Sequence, residues 1–89
     1  MSFPQPYTGL QDIEFHLVQW EAPATLRVSF NRKPVNALST PLWKETHRIF
    51  DHIRHDGDVR AVLLSGEGRC FSAGLDREFR RSITQQSWP

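Results

Sequence analysis

Seven consecutive residues, Cys70-Phe71-Ser72-Ala73-Gly74-Leu75-Asp76, hold most of what could do chemistry in this chain. A glycine flanked by small residues lets a ligand approach the main chain closely, and the amides beyond it can donate to an anionic oxygen. Taken alone, the heptapeptide also reads as an ordinary β-turn. Gly66-Glu67-Gly68 invites a nucleotide-loop reading, but Phe71 stands where G-x-G-x-x-G needs its third glycine and no G-K-[ST] follows. It reads as a turn. His52 and His55 could share a helix face, yet no third ligand completes a metal set, and with His16 and His47 they read as polar-face histidines. Asp51 and His55, four apart, suit a surface pair better than a general-base dyad. Cys70 lies in an apolar stretch with no helix N-terminus to activate it, and reads as a small buried thiol. Arg77, Arg80 and Arg81 could hold phosphate, but three arginines in a polar tail read as solvated.

The elements that must position the heptapeptide follow from periodicity. Residues 13–20 are rich in Phe, Leu, Val and Trp and predict a strand. After a four-residue turn, Glu21-Ala22-Pro23-Ala24, Thr25–Phe30 alternates, with Leu26, Val28 and Phe30 facing one way. The two runs predict an antiparallel hairpin. Thr40 suits a helix N-cap and Pro41 the first helical position. Leu42, Thr46, Ile49, Phe50 and Ile53 form a helical stripe, and Gly57 suits a left-handed C-terminal cap, so a helix is expected over about 41–55. The unbroken run Ala61-Val62-Leu63-Leu64 does not alternate, which predicts a parallel strand buried on both faces. Hairpin, crossover helix and buried strand begin an α/β fold.

Composition narrows the rest. The 89 residues allow one small domain, and 11 basic against 10 acidic residues imply no polyanion-binding field. One cysteine makes neither an internal disulfide nor a Cys-based zinc site. No apolar run approaches the roughly 20 residues of a membrane helix. No Lys or Arg precedes Arg27, and the chain closes on Ser87-Trp88-Pro89 rather than a Ser-Lys-Leu address, so no targeting signal is legible. Residues 1–12 are expected to be a loose arm, and residues 77–89 a divergent polar tail.

Over residues 13–76 the chain resembles the crotonase superfamily, the enoyl-CoA hydratases and isomerases. Three motifs in order carry the likeness. Arg27-Val28-Ser29-Phe30-Asn31-Arg32-Lys33-Pro34-Val35-Asn36-Ala37-Leu38 is similar to the family's strand, N-R-P and N-A-L, with the proline one residue later here. Asp58-Val59-Arg60-Ala61-Val62-Leu63-Leu64-Ser65-Gly66-Glu67-Gly68 is similar to its strand ending in S/T-G-x-G. Phe71-Ser72-Ala73-Gly74-Leu75-Asp76 is similar to its F-x-A-G-x-D. Leu42-Trp43-Lys44-Glu45 and residues 58–68 look most like the dienoyl-CoA isomerases of fatty-acid β-oxidation.

The resemblance implies the truncated start of a ββα spiral fold, acting on acyl-CoA thioesters, with coenzyme A arriving as part of the substrate and no separate cofactor or metal. It implies that the Leu75 N–H is one of two oxyanion donors. It places CoA against Lys33, Val35 and Ala37 and against Ser72, Ala73, Gly74, Leu75 and Asp76. Full-length members are expected to be homo-oligomers, peroxisomal or mitochondrial, with neither nucleic acid nor membrane as partner. The family's second donor and acid/base carboxylates correspond to positions beyond residue 76. The chain is therefore expected to be inactive and marginally stable by itself; the alternative is a non-catalytic truncated product or a small subunit-binding module.

Overall fold

A computed structural model describes residues 2–76. Strands β1 (Gln5–Pro6), β2 (His16–Ala22) and β3 (Thr25–Phe30), helix α1 (Thr40–Ile53) and strand β4 (Ala61–Gly66) follow in that order. The strands lie side by side in sequence order. β2 and β3 are antiparallel, and β4 returns parallel to β3 after α1 crosses over. The α/β arrangement matches the expectation.

β3 keeps its expected bounds because its alternation is clean: Leu26 and Val28 are fully buried and Phe30 is 3% exposed. Ser29, on the other face, is buried too, its Oγ 2.7 Å from Ser65 Oγ across the ladder. The partner strand starts at His16 rather than residue 13. Upstream, the Glu14 and Phe15 N–H groups donate to the Glu45 carboxylate, at 2.8 and 2.7 Å, instead of to a ladder. That strand also runs on through Ala22, since Pro23 and Ala24, the latter at φ 58°, suffice to turn the chain.

Helix α1 is capped by Ser39, not Thr40. Ser39 is extended and its Oγ accepts the Leu42 N–H at 3.2 Å, while Thr40 already belongs to the helix. The helix stops at Ile53, and Gly57 is not left-handed. The turn after it stays right-handed: the His55 and Asp56 N–H groups donate to the His52 and Ile53 carbonyls, so no left-handed cap is required. Ile49 and Ile53 pack with Leu26 and Val28 into one cluster between helix and sheet.

Three expectations are corrected. The arm is not loose over its whole length, since β1 pairs with β2 and Tyr7 Oη donates to Asp56 Oδ2 at 2.5 Å. The Tyr7 ring also meets Trp20 edge-on at 5.5 Å. β4 is not covered on both faces, since Leu63 and Leu64 are each 47% exposed. Residues 2–76 supply one helix to one face and no further strand beyond β4. Cys70 is half-buried rather than buried, its Sγ 3.5 Å from the Val35 carbonyl. Residues 77–89, with Arg77, Arg80 and Arg81, lie outside the described residues.

A buried polar knot fastens α1 to the start of β2. Glu45 and His16 are 7% and 5% exposed, with His16 Nδ1 2.7 Å from Glu45 Oε1 and Nε2 2.7 Å from Thr46 Oγ1. Burial alone would push the Glu45 carboxyl up, but the Glu14 N–H, His16 and the Phe15 N–H together hold it below the ordinary carboxylate value. Folded Glu45 thus binds its proton less readily than the unfolded chain does. Its contribution is intact above the ordinary carboxylate range and is lost as pH falls through the folded value. Denaturant titrations between neutral and acid pH should show falling stability, and Glu45→Gln should flatten that limb while costing about 2–4 kcal/mol at neutral pH. Tyr7, pushed up to about 12 chiefly by burial and then by Asp56, adds an alkaline limb, with stability lost between pH 10 and about 12.

Candidate functional site

β3 and β4 run parallel and end side by side, so the loops that follow them leave from the same end of the sheet. That is the end where ligands bind in open α/β sheets. Residues 31–38 follow β3 and residues 67–76 follow β4. The loops are sewn together by a short parallel ladder. The Ala73 N–H donates to Val35 O at 2.9 Å, Leu38 N–H to Gly74 O at 2.8 Å, and Asp76 N–H to Leu38 O at 2.8 Å. All the sequence-nominated site residues are therefore brought to one end of the molecule.

Asn36 sits at the centre of this seam, 2% exposed, at φ 53°. Its Nδ2 donates to the Glu67 carbonyl at 2.9 Å and the Cys70 carbonyl at 3.0 Å, and its Oδ1 accepts the Arg32 N–H at 2.8 Å. Its own N–H donates to Arg32 O at 2.7 Å, closing a turn that accommodates the late proline of Arg32-Lys33-Pro34. Ser72 Oγ donates to the Asn36 carbonyl at 2.8 Å and accepts the Gly74 N–H at 3.0 Å. Ser72 is thus turned to the protein's own main chain. Asp76 lies 3.3 Å from Arg32 Nη1, which also donates to Ala37 O at 2.6 Å.

Between these fixed amides, the Leu75 N–H has no partner among the described residues. The ladder explains it: Leu75 bridges Leu38 through its flanking peptide groups, and its own N–H points the other way. Gly74, at φ 96°, precedes it, and a Cβ there would meet nothing within 4 Å. An outward amide beside open space can receive an oxygen that carries negative charge. Gly66 has a different reason: a Cβ would lie 2.3 Å from the Phe71 carbonyl oxygen, because the turn folds back over it.

Lys33 stands at a cavity of about 300 Å³ whose walls include Asn31, Glu67 and Arg69. Two cations against one carboxylate suit a phosphate-bearing ligand. Val35 is 38% exposed and Ala37 partly exposed beside it. Arg32 and Arg69 were not singled out from sequence as site residues, although Arg32 lies inside the first motif; Asn36 falls within the loop 33–37 that the resemblance sets against CoA, and its side chain instead binds the protein's own main chain. The expected surface pair of Asp51 and His55 forms only in part: His55 Nδ1 meets the Asp51 carbonyl at 2.9 Å, and Arg54 takes the carboxylate.

Asn36→Asp keeps the acceptor for Arg32 but sets a carboxylate against two carbonyl oxygens. It should cost about 2–4 kcal/mol and speed hydrogen exchange at the Leu38, Ala73 and Asp76 amides more than at the β2–β3 hairpin amides. Equal exchange rates in the variant and the parent would show that the seam does not depend on this side chain.

The comparisons with known proteins bear on the whole of this region. The enoyl-CoA hydratase/isomerase family model matches residues 22–87. Human mitochondrial Delta(3,5)-Delta(2,4)-dienoyl-CoA isomerase is 42% identical over 52 residues, 57% of this chain and 16% of that protein. The 1,4-dihydroxy-2-naphthoyl-CoA synthase of Mycobacterium tuberculosis strain H37Rv is 41% identical over 82 residues, 83% of this chain and 26% of the enzyme. Among solved structures, an enoyl-CoA hydratase from Bacillus anthracis superposes with TM-score 0.71 at 30% identity, over 81% of this chain and 29% of that one. The chain thus spans less than a third of the length of each of these relatives. With the family model covering most of the sequence and the fold matching as well, this chain belongs to the enoyl-CoA hydratase/isomerase, or crotonase, family.

Proposed function

We propose that this chain supplies the first half of an acyl-CoA thioester site, of the dienoyl-CoA isomerase kind that serves fatty-acid β-oxidation. The observation that carries the reading is the outward Leu75 N–H beside the open space at Gly74. Moving a double bond or adding water next to a thioester drives negative charge onto the carbonyl oxygen. An amide already aimed at that oxygen stabilises the charge without reorganising. The main chain at Ala73 and Gly74, with Val35 and Ala37 opposite, forms the cradle, while Lys33 and Arg69 face the phosphates of coenzyme A. Ser72 and Asp76 act at one remove, by fixing the turn against Asn36 and Arg32. The isomerase reading draws its support from the 42% identity to the human enzyme. Hydration of an enoyl-CoA is the second reading, favoured by the Bacillus anthracis structure.

The 89 residues alone should not turn over. Proton transfer needs a carboxylate within about 3 Å of the reacting atom. Asp76 is held by Arg32, Asp51 by Arg54 and Asp56 by Tyr7, while Glu45 is buried under His16. Asp56 and Asp58 also precede β4, roughly 20 Å of strand from its far end. Without a second donor the rate falls by about 10²–10³, and without a positioned base by another 10²–10⁴ or so.

The test is amide NMR on the ¹⁵N-labelled chain with octanoyl-CoA. Leu75 should show one of the largest shifts, absent with free coenzyme A, whereas the amides around Lys33 should move with both. Octanoyl-CoA leaving residues 72–76 unmoved would overturn the thioester site. Gly74→Val should abolish the Leu75 shift. In ultraviolet assays with 2-enoyl-CoA and 3,5-dienoyl-CoA, the chain should stay at background, and steady turnover would refute the half-site reading.

A further inference from the structure

Two peptide groups stand in line between a guanidinium and the outward Leu75 N–H. Arg32 Nη1 donates to Ala37 O at 2.6 Å, short even for a charge-assisted bond. In a planar trans peptide the C=O and the N–H point in opposite directions. The Leu38 N–H therefore leaves the far side of the same peptide, and it donates to Gly74 O at 2.8 Å. Gly74 O in turn shares its peptide with the Leu75 N–H, which is sent away from the seam into the open space beside Gly74.

We infer that Arg32 is the positioning residue of the Leu75 amide, fixing its direction and strengthening it as a donor through these peptides. Hydrogen-bonded groups in line polarise one another. A cation at the head of the line draws electrons toward itself and leaves the last N–H more positive. Direction needs the support as well. Gly74, at φ 96° and without a side chain, opposes a flip of the following peptide only weakly. The bond from Leu38 opposes it, and Arg32 steadies the peptide from which that bond comes. Asp76 Oδ2, 3.3 Å from the same Nη1, holds the guanidinium in place. The main chain of Arg32 has a separate task, exchanging hydrogen bonds of 2.8 and 2.7 Å with Asn36, so replacing the side chain leaves that turn closed. This role rests on the thioester reading of Leu75, but the polarised line can be tested without any ligand.

Amide exchange in the free 89-residue chain is that test. At neutral pH exchange passes through an amide anion, which a nearby cation favours. Arg32→Gln keeps a donor for Ala37 O and removes the charge; the partly exposed ion pair it breaks contributes little to stability. Exchange at the Leu75 N–H should slow about threefold or more. Loosening of the seam would not slow an amide that already faces outward. Arg32→Lys restores a cation, and because Nη1 alone makes both contacts, it should return Leu75 toward the parent rate. Unchanged rates at the β2–β3 hairpin amides certify the fold of both variants. With octanoyl-CoA labelled with ¹³C at its carbonyl, that resonance should move further downfield on the parent than on Arg32→Gln. Leu75 exchange that is equal or faster in Arg32→Gln overturns the inference, as does Arg32→Lys behaving like Arg32→Gln. The expected exchange pattern, with octanoyl-CoA leaving residues 72–76 unmoved, upholds the polarised line and overturns the thioester reading alone.

Discussion

The site end of the molecule hangs on one buried amide. Asn36 answers five hydrogen-bonding demands: two carbonyls from the β4 turn, one N–H and one carbonyl from its own loop, and the Ser72 hydroxyl. A primary amide suits the place because it carries donors and an acceptor on one planar head. Asp lacks the donors, and a hydrophobic residue would take the partner from three part-buried main-chain groups, at up to roughly 1–3 kcal/mol each. Asparagine also tolerates the left-handed backbone found there, at φ 53°. One side chain therefore fixes the turn of its own loop and the distance to the neighbouring one.

From that constraint the poise of Leu75 follows. With Val35 and Leu38 held in place, Ala73, Gly74 and Asp76 all find their partners, and strand alternation leaves the amide between them facing out. A solvent-reachable N–H costs little while it waits, since water can satisfy it. What the seam supplies is direction. The aromatic rings continue the support toward the core, with Phe71 centred 5.1 Å from Phe30, and Phe30 5.5 Å from His16. His16 in turn meets Glu45 on α1. Helix, hairpin and turn are thus linked through consecutive contacts.

Legibility in the sequence divides along the same lines. β3 and α1 were readable because their periodicities are local and strong, and the loops because three motifs occur in order. What could not be read depended on partners far away in the chain. Tyr7 docks on Asp56 across 49 positions, so the arm looked structureless without it. Glu45 looks like an exposed helix residue until the Glu14 and Phe15 N–H groups and His16 close around it. The run Ala61-Val62-Leu63-Leu64 declares a strand made to be covered, but covering depends on neighbours that residues 2–76 do not include.

That last mismatch connects composition to stability. A strand with apolar residues on both faces gains about 25 cal/mol for each Å² of apolar surface removed from water, and β4 realises this only in part: Val62 packs on the core, while Leu64 on the same face and Leu63 on the other stay half-exposed. Leu63 shares its face with Arg27, whose guanidinium is drawn to Glu21, and with the buried Ser29–Ser65 contact. A partly exposed ion pair on that face contributes little, so burial of Leu63 and Leu64 is stabilisation still open to these residues. The site depends on it as well. The turn that carries Leu75 is rooted in Gly66, where it passes too close to admit a Cβ. Whatever covers β4 therefore holds the root of the turn, and the direction of the Leu75 N–H with it.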